Sequence, residues 1–386
     1  MNFASFPKPR ALGLASLLLG LTPRSAWADN SVSYKYSDYR ESGGRIAVET
    51  QAALIEQDLG TDTHLKFQGI LDAIAGATPN GQPAPAGSDQ VSLSNLHERR
   101  KAWNADFSHQ FRRVNVALGI GNSRESDYVS TGWSINTVTD FNQKNSTLLL
   151  GYAATNDDIK VFFQVPRRAK RTQDVIVGAT QLLDPRTVVG FNLTWGTQRG
   201  FLADPYKLVQ KNTQIFPGVF LPLTFGENRP EERDKWIALA TLNRAFPEVR
   251  GAIDASYRFY HDTYDTDAHT LDLAWFQRAG EKFILRPSFR FYQQTAANFY
   301  HYTLDGTAVV PQSGLPRRQG PFYSSDFRLS AMRTYTYGLK VIYQVADAWQ
   351  LDAAIEQYDM RGRDGVTPRS AYCDARISTF GLKFSW

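Results

Sequence analysis

The stretch His261-Asp-Thr-Tyr-Asp-Thr-Asp-Ala-His269 gathers five side chains able to bind a metal. They are His261, Asp262, Asp265, Asp267 and His269, and His301 follows in Phe-Tyr-His-Tyr. Imidazole and carboxylate ligands suit a divalent ion such as zinc, copper or nickel. Such a site needs neutral imidazoles, so its affinity would fall as pH drops through about 6.5. The spacing follows no ligand motif closely, and a hydrated polar turn between two strands reads the same way. A second set is the basic run Arg167, Arg168, Lys170 and Arg171, with Arg317 and Arg318 as a smaller pair. Arginine forks fit phosphate oxygens, so these side chains suit lipopolysaccharide phosphates; a solvated loop is the alternative. No Gly-x-Ser-x-Gly elbow and no Gly-rich phosphate loop occurs. The chain is therefore read as not an enzyme, and no cofactor is expected beyond the metal just considered.

Positioning falls to β-strands. Over Ala375 to Trp386 the sequence alternates: Phe380, Leu382, Phe384 and Trp386 share one face, and Thr379, Gly381, Lys383 and Ser385 the other. Period two is the signature of a strand with one apolar and one polar side. Similar segments of about ten residues, the length of a tilted membrane strand, recur along the chain. Short connections fall near Gln57–Thr63, Arg112, Asn142, Asp184, Pro247, Gly280 and Ala346. Long ones carry Pro, Gly and charge, as over Thr78–Gly87, Gln198–Asp234 and Asn298–Ser325. This alternation predicts an all-β transmembrane antiparallel barrel with short periplasmic turns and long extracellular loops. The count is sixteen strands, with fourteen as the alternative because Ile159–Val165 reads as strand or loop. Trp103, Trp133, Trp195, Trp236, Trp275, Trp349 and Trp386 fall near strand ends, as in interfacial aromatic girdles.

The polar faces predict a lumen lined by Arg258, Arg286, Arg290, Lys340, Asp254, Asp272, Asp352 and Glu356. Lys66, Lys235, Lys383, Asp106 and Asp174 join them. The signs nearly balance, so the sequence argues neither anion nor cation selectivity.

Residues 1–28 read as a secretory signal peptide: Lys8 and Arg10, an apolar run from Ala11 to Leu21, then Ala26-Trp27-Ala28. The expected barrel is 29–386. Cleavage removes three basic residues and no acidic one, so the formal net charge of +5 shrinks to +2. That leaves little case for a nucleic-acid partner. Cys373 is the single cysteine, so no intramolecular disulfide can form.

A last strand ending in an aromatic resembles the sorting signal of Gram-negative outer-membrane barrels. The resemblance implies recognition of Phe380, Leu382, Phe384 and Trp386 by the barrel assembly machinery, with outer-membrane lipid and lipopolysaccharide as surroundings. The chain also resembles the uncharacterised domain-of-unknown-function-3570 family. The stretches that carry this are Tyr-Lys-Tyr-Ser-Asp-Tyr (34–39), Asp-Ala-Ile-Ala-Gly-Ala-Thr-Pro (72–79) and Ser-Arg-Glu-Ser-Asp-Tyr (123–128). Asp-Pro-Tyr-Lys (204–207), Glu-Asn-Arg-Pro (227–230), Tyr-Arg-Phe-Tyr-His-Asp-Thr-Tyr (257–264), Ala-His-Thr-Leu (268–271) and Tyr-Ser-Ser-Asp-Phe-Arg-Leu-Ser (323–330) complete the set. The resemblance implies an outer-membrane barrel and no established activity or catalytic residues. Members are similar in being encoded beside thioredoxin-like and flavin-transferring envelope proteins, which implies a periplasmic redox partner. The expected function is a porin-like channel or transport component for small solutes. The alternatives are an envelope binding or assembly component linked to redox or metal physiology, and a barrel enzyme.

Overall fold

The computed structural model of the chain describes residues 30–161, 167–311 and 319–386. The expected leader over 1–28 and the Arg317-Arg318 pair lie outside the described residues. The first half of the fold comprises β1 (Ser31–Glu41), β2 (Ala47–Leu59), β3 (Thr63–Pro79), β4 (Leu93–Phe111), β5 (Val114–Arg124), β6 (Tyr128–Phe141), β7 (Ser146–Ile159), β8 (Arg168–Asp184) and β9 (Thr187–Gly200). The second comprises β10 (Leu208–Phe216), β11 (Val219–Gly226), β12 (Glu232–Phe246), β13 (Gly251–Asp262), β14 (Asp267–Ala279), β15 (Phe283–Gln294), β16 (Met332–Ala346), β17 (Trp349–Gly362) and β18 (Asp374–Ser385). Among the described residues, sixteen strands close into one antiparallel barrel, and β10–β11 form a separate hairpin. The seam pairs β1 with β18, from Ser31↔Ser385 to Glu41↔Ala375. The Trp386 N–H finishes it by donating to the Asn30 carbonyl at 3.0 Å.

Two ends differ. One carries tight turns, several built on left-handed residues: Gly60, Arg112, Asn142, Arg250 and Gly280 all have positive φ. The other carries the long loops. The expected count of sixteen and every expected short connection agree with this topology. The hairpin corrects the reading of Gln198–Asp234 as loop. Its strands, β10 and β11, fold about Pro217-Gly218, and the stretch around the turn, Ile215–Leu223, is apolar, with Phe216 and Phe220 exposed at the tip.

Outward positions form an exposed apolar band that includes Phe67, Leu71, Leu118, Ile120, Phe191, Leu193, Tyr337 and Ile355. So much contiguous apolar surface is costly in water and is accommodated by lipid. β2 differs from the face its apolar pattern suggests. Ala53, paired with the exposed Tyr34, faces out with the exposed Ile55 and Leu59, which turns Val48, Ala52 and Leu54 inward. The strand takes its facing from the partners on either side, because a one-residue slip would invert every side chain.

The tryptophans fall into two belts. Trp236 pairs with Trp195 at the long-loop border. Trp275 lies level with Arg244, since both pair with Ile253. Trp236 and Arg244 are eight residues apart on β12, or about 26 Å along the strand. At a tilt of roughly 40° this spans about 20 Å along the membrane normal, within an apolar band about 25 Å tall. Trp349 and Trp386 flank Phe384, with ring centroids 4.7 and 5.7 Å from it, at the short-turn border. Phe380 and Trp386 are exposed on this outer face, opposite inward Gly381 and Lys383.

Candidate functional site

The His/Asp stretch is divided by the strand alternation that the sequence already displays. Asp262 points inward and is fully buried. It pairs with Arg233, whose Nε donates at 2.7 Å, and accepts the backbone N–H groups of Tyr264 and Thr266. It thus closes the β13–β14 turn. His261 and His269 face outward. His261 meets Asp267 at 2.7 Å beside Trp236, and His269 contacts the Tyr257 hydroxyl at 2.7 Å. The two histidines do not face each other across the turn: His261 pairs with Asp267, and Phe259 with His269. Asp265 accepts from Asn298, and His301 lies in the β15–β16 loop, its N–H on Ser324. Among the described residues, no three His, Cys, Asp or Glu side chains come together as a metal-binding group.

The basic run is likewise divided. Lys170 is buried inside the wall, 2.7 Å from Asp157 and 2.8 Å from the Tyr128 hydroxyl. Arg168 pairs with Glu231 at 3.2 Å, and Arg167 with Asp158 at 3.6 Å. These cations serve the loop junctions before any external phosphate.

The main polar constellation is one that the sequence reading left unpaired. Seven residues separate the end of β9 from Leu208, whose N–H donates to the Asn80 carbonyl at 2.7 Å. Asn80 is the first residue beyond β3, six strands away around the ring. The segment 201–207 therefore crosses the mouth. Lys207 donates to the Pro79 carbonyl on that far rim. The β15–β16 loop meets it there: Asn228 bridges Tyr323, and the Ser325 hydroxyl donates to the Gly81 and Leu208 carbonyls at 2.9 and 2.6 Å. Gly81 has φ +94°, and a Cβ on it would stand 2.3 Å from the Leu208 carbonyl oxygen, so the crossing needs glycine. The β17–β18 loop closes the remaining side, with Val91 N–H on the Ser370 hydroxyl and Tyr300 bonded to Thr367.

Six charges clasp this lid, Lys207, Glu227 and Asp326 buried and Asp204, Arg229 and Arg328 nearly so. Arg229 reaches Glu227 at 2.7 Å and Asp326 at 2.8 Å. Arg328 reaches Asp204 at 2.6 Å and both carboxylate oxygens of Asp326 at 2.8 Å. Ser324 donates to Glu227 at 2.6 Å. Lys207 completes three cations against three acids. Burial alone would raise the Asp326 pKa, but Arg328, Lys207 and Arg229 outweigh it and hold the carboxyl below the usual range. Asp204 is lowered likewise, its burial overcome by Arg328 and Lys207. Glu227 goes the other way: burial raises it, and Arg229 offsets only part. Burial lowers Lys207. The residues come from Asp-Pro-Tyr-Lys, Glu-Asn-Arg-Pro and Tyr-Ser-Ser-Asp-Phe-Arg-Leu-Ser, stretches singled out only for their family likeness. Charged residues flanked by Pro or aromatics in long loops were the signal that marks them.

Below the lid, the expected lumen residues lie opposite the exposed apolar face. Lys340 pairs with Asp352 at 2.8 Å, Arg290 with Asp272 at 3.1 Å and Lys235 with Asp174 at 2.7 Å. Arg258 lies over the Tyr260 ring and Arg286 over Phe276. Asp254 and Glu356 share this half-buried wall.

The fold and its clasped loops define a membrane-spanning β-barrel with a lid of its own chain. The chain belongs to the DUF3570 family of proteins of unknown function, whose profile matches residues 11–169 and 162–370. No curated protein matches the sequence significantly. Among solved structures, the chain is similar to a point mutant of the ferric enterobactin receptor of Pseudomonas aeruginosa: 11% identity, TM-score 0.45, covering 88% of this chain and 54% of that one. It thus spans about half the length of that receptor. It is also similar to a loop-deleted form of OmpT, an outer membrane protein of Vibrio cholerae: 9% identity, TM-score 0.44, covering 93% and 99%. The monoaromatic hydrocarbon channel CymD aligns at 10% identity and TM-score 0.44, covering 100% and 94%. At these identities the likeness is one of fold.

Proposed function

We propose that the protein is an outer-membrane transport component for small solutes whose lumen is gated at the outer mouth by the clasped loops. The single observation that carries this is the 201–207 segment crossing from β9 to the rim of β3, locked by buried charges above a polar-lined barrel. The exposed apolar band between two tryptophan belts supports the membrane setting. The short turns then face the periplasm and the lid faces outward. A permanently open pore has no use for a dry ionic clasp across its mouth, whereas a gate needs an element with two arrangements. Planar-bilayer recording tests this. The wild type should show rare discrete openings, and Arg328→Ala, which removes the bridge between Asp204 and Asp326, should show frequent ones. Silence from both proteins, each folded by its heat-modifiable gel migration, would sink the transport reading.

A further inference from the structure

The lumen charges that balance in the sequence separate in the structure by what they lie against. Four inward acids lie down over inward glycines of the neighbouring strand. A Cβ built on Gly119 would stand 2.7 Å from Asp106 Oδ1, and one on Gly196 would stand 2.1 Å from Asp174 Oδ1. One on Gly381 would stand 2.2 Å from Asp352 Oδ2, and one on Gly338 would stand 3.1 Å from Glu356 Cγ. The missing side chains are notches, and the carboxylates occupy them. Asp174 and Asp352 are moreover paired there with Lys235 and Lys340.

The inward cations are placed differently. Among the described residues, Lys35, Arg258, Arg286 and Lys383 have no carboxylate oxygen within 4.0 Å. All four belong to the continuous wall from β13 through β18 to β1. Arg258 and Arg286 rest against rings rather than acids, and the buried Arg286 Nε has no hydrogen-bond partner. Asp254, the one acid of this wall that is neither paired nor notched, has a side chain several bonds shorter than theirs.

The notched and paired acids are thus accounted for, whereas four cations of this wall have no acid partner. We propose that the lumen prefers small anions, carboxylates and phosphates among them, and that Arg258 and Arg286 set the preference. Guanidinium forks suit those oxyanions, and the two unpaired forks stand at different depths of one wall: Arg258 is level with Tyr292, six residues along β15 from Arg286. The proposal rests on the transport reading above but fails separately from it. The experiment is the reversal potential of single openings under a KCl gradient, recorded for the wild type and the clasp variant Arg328→Ala. Both should reverse on the anion side, and inorganic phosphate should reduce the chloride current. The double variant Arg258→Glu with Arg286→Glu should reverse on the cation side. Arg258→Gln with Arg286→Gln, which adds no new charge to the wall, should bring the potential toward zero. Openings with cation preference in the wild type, or a reversal potential unmoved in both folded double variants, would overturn anion selection and leave the channel standing. Absence of any opening would overturn the channel and this inference with it.

Discussion

Asp326 in the lid and Asp272 in the lumen wall both face arginine, yet the first has a side chain 1% exposed and the second 40%. Asp326 is gripped by two guanidiniums, Arg229 and Arg328. Asp272 makes one contact with Arg290 at 3.1 Å. The difference follows from water. In the lid no solvent replaces a lost partner, so each charge needs several, and three acids stand against three bases. In the lumen water solvates what protein does not, so a cation such as Arg258 can stand without an acid and stay available to a solute. The same residue types therefore fasten one region and equip the other.

The sharpest way to break the comparison is to remove one partner from each region. Arg328→Ala removes the arginine partner of Asp204 and leaves Asp326 to Arg229 alone, and breaking a buried pair in this way costs about 3–5 kcal/mol. The loss should appear as protease cleavage within 201–231 while the barrel still migrates as a folded species. An uncleaved lid would mean that the backbone crossings, not the charges, hold it.

Acid gives a smaller and graded effect. Asp204 and Asp326 are held below the ordinary aspartate value of 3.8. Their stabilisation is complete above that value and is lost as pH falls through their lowered ones. Glu227, raised by burial, takes up a proton earlier, and the folded lid favours that proton, so this step does not open it. The open fraction should therefore not rise between neutral pH and about pH 5, protonation of Glu227 tending to lower it, and should rise only in stronger acid. Opening at about pH 6 would point to a different trigger.

The smallest effect belongs to the lumen. Asp272→Asn removes a half-exposed pair, worth about 0–1 kcal/mol. Urea unfolding should shift by no more than that, and the lid should resist protease as before. A larger shift would show that the lumen wall is as dry as the lid.

The barrel was legible because membrane strands write their facing into every second residue. Trp236, Ala238, Ala240 and Leu242 read outward in sequence and lie outward in structure. The same rule, applied to His261 and Asp262, already separates them by face, so the divided histidine stretch was legible too. β2 was not, because its alternation offers an apolar set on either face and its neighbours decide. Nor was the lid. Lys207 and Pro79, or Arg229 and Asp326, are joined only by the path of loops across the mouth, and no local periodicity records that. The hairpin had a local signal, the apolar stretch Ile215–Leu223 about Pro217-Gly218, which the length of the surrounding loop obscured.

The seam has a consequence in time. Ser37 and Thr379 touch at 3.3 Å, although 342 residues separate them. Contacts of such separation form slowly, and the sheet cannot become a cylinder before β18 exists to meet β1. Until then two long strand edges display unpaired N–H and C=O groups, and such edges pair readily with any other chain within reach. Cyclisation, rather than strand formation, is thus the step at which this protein is most exposed to aggregation.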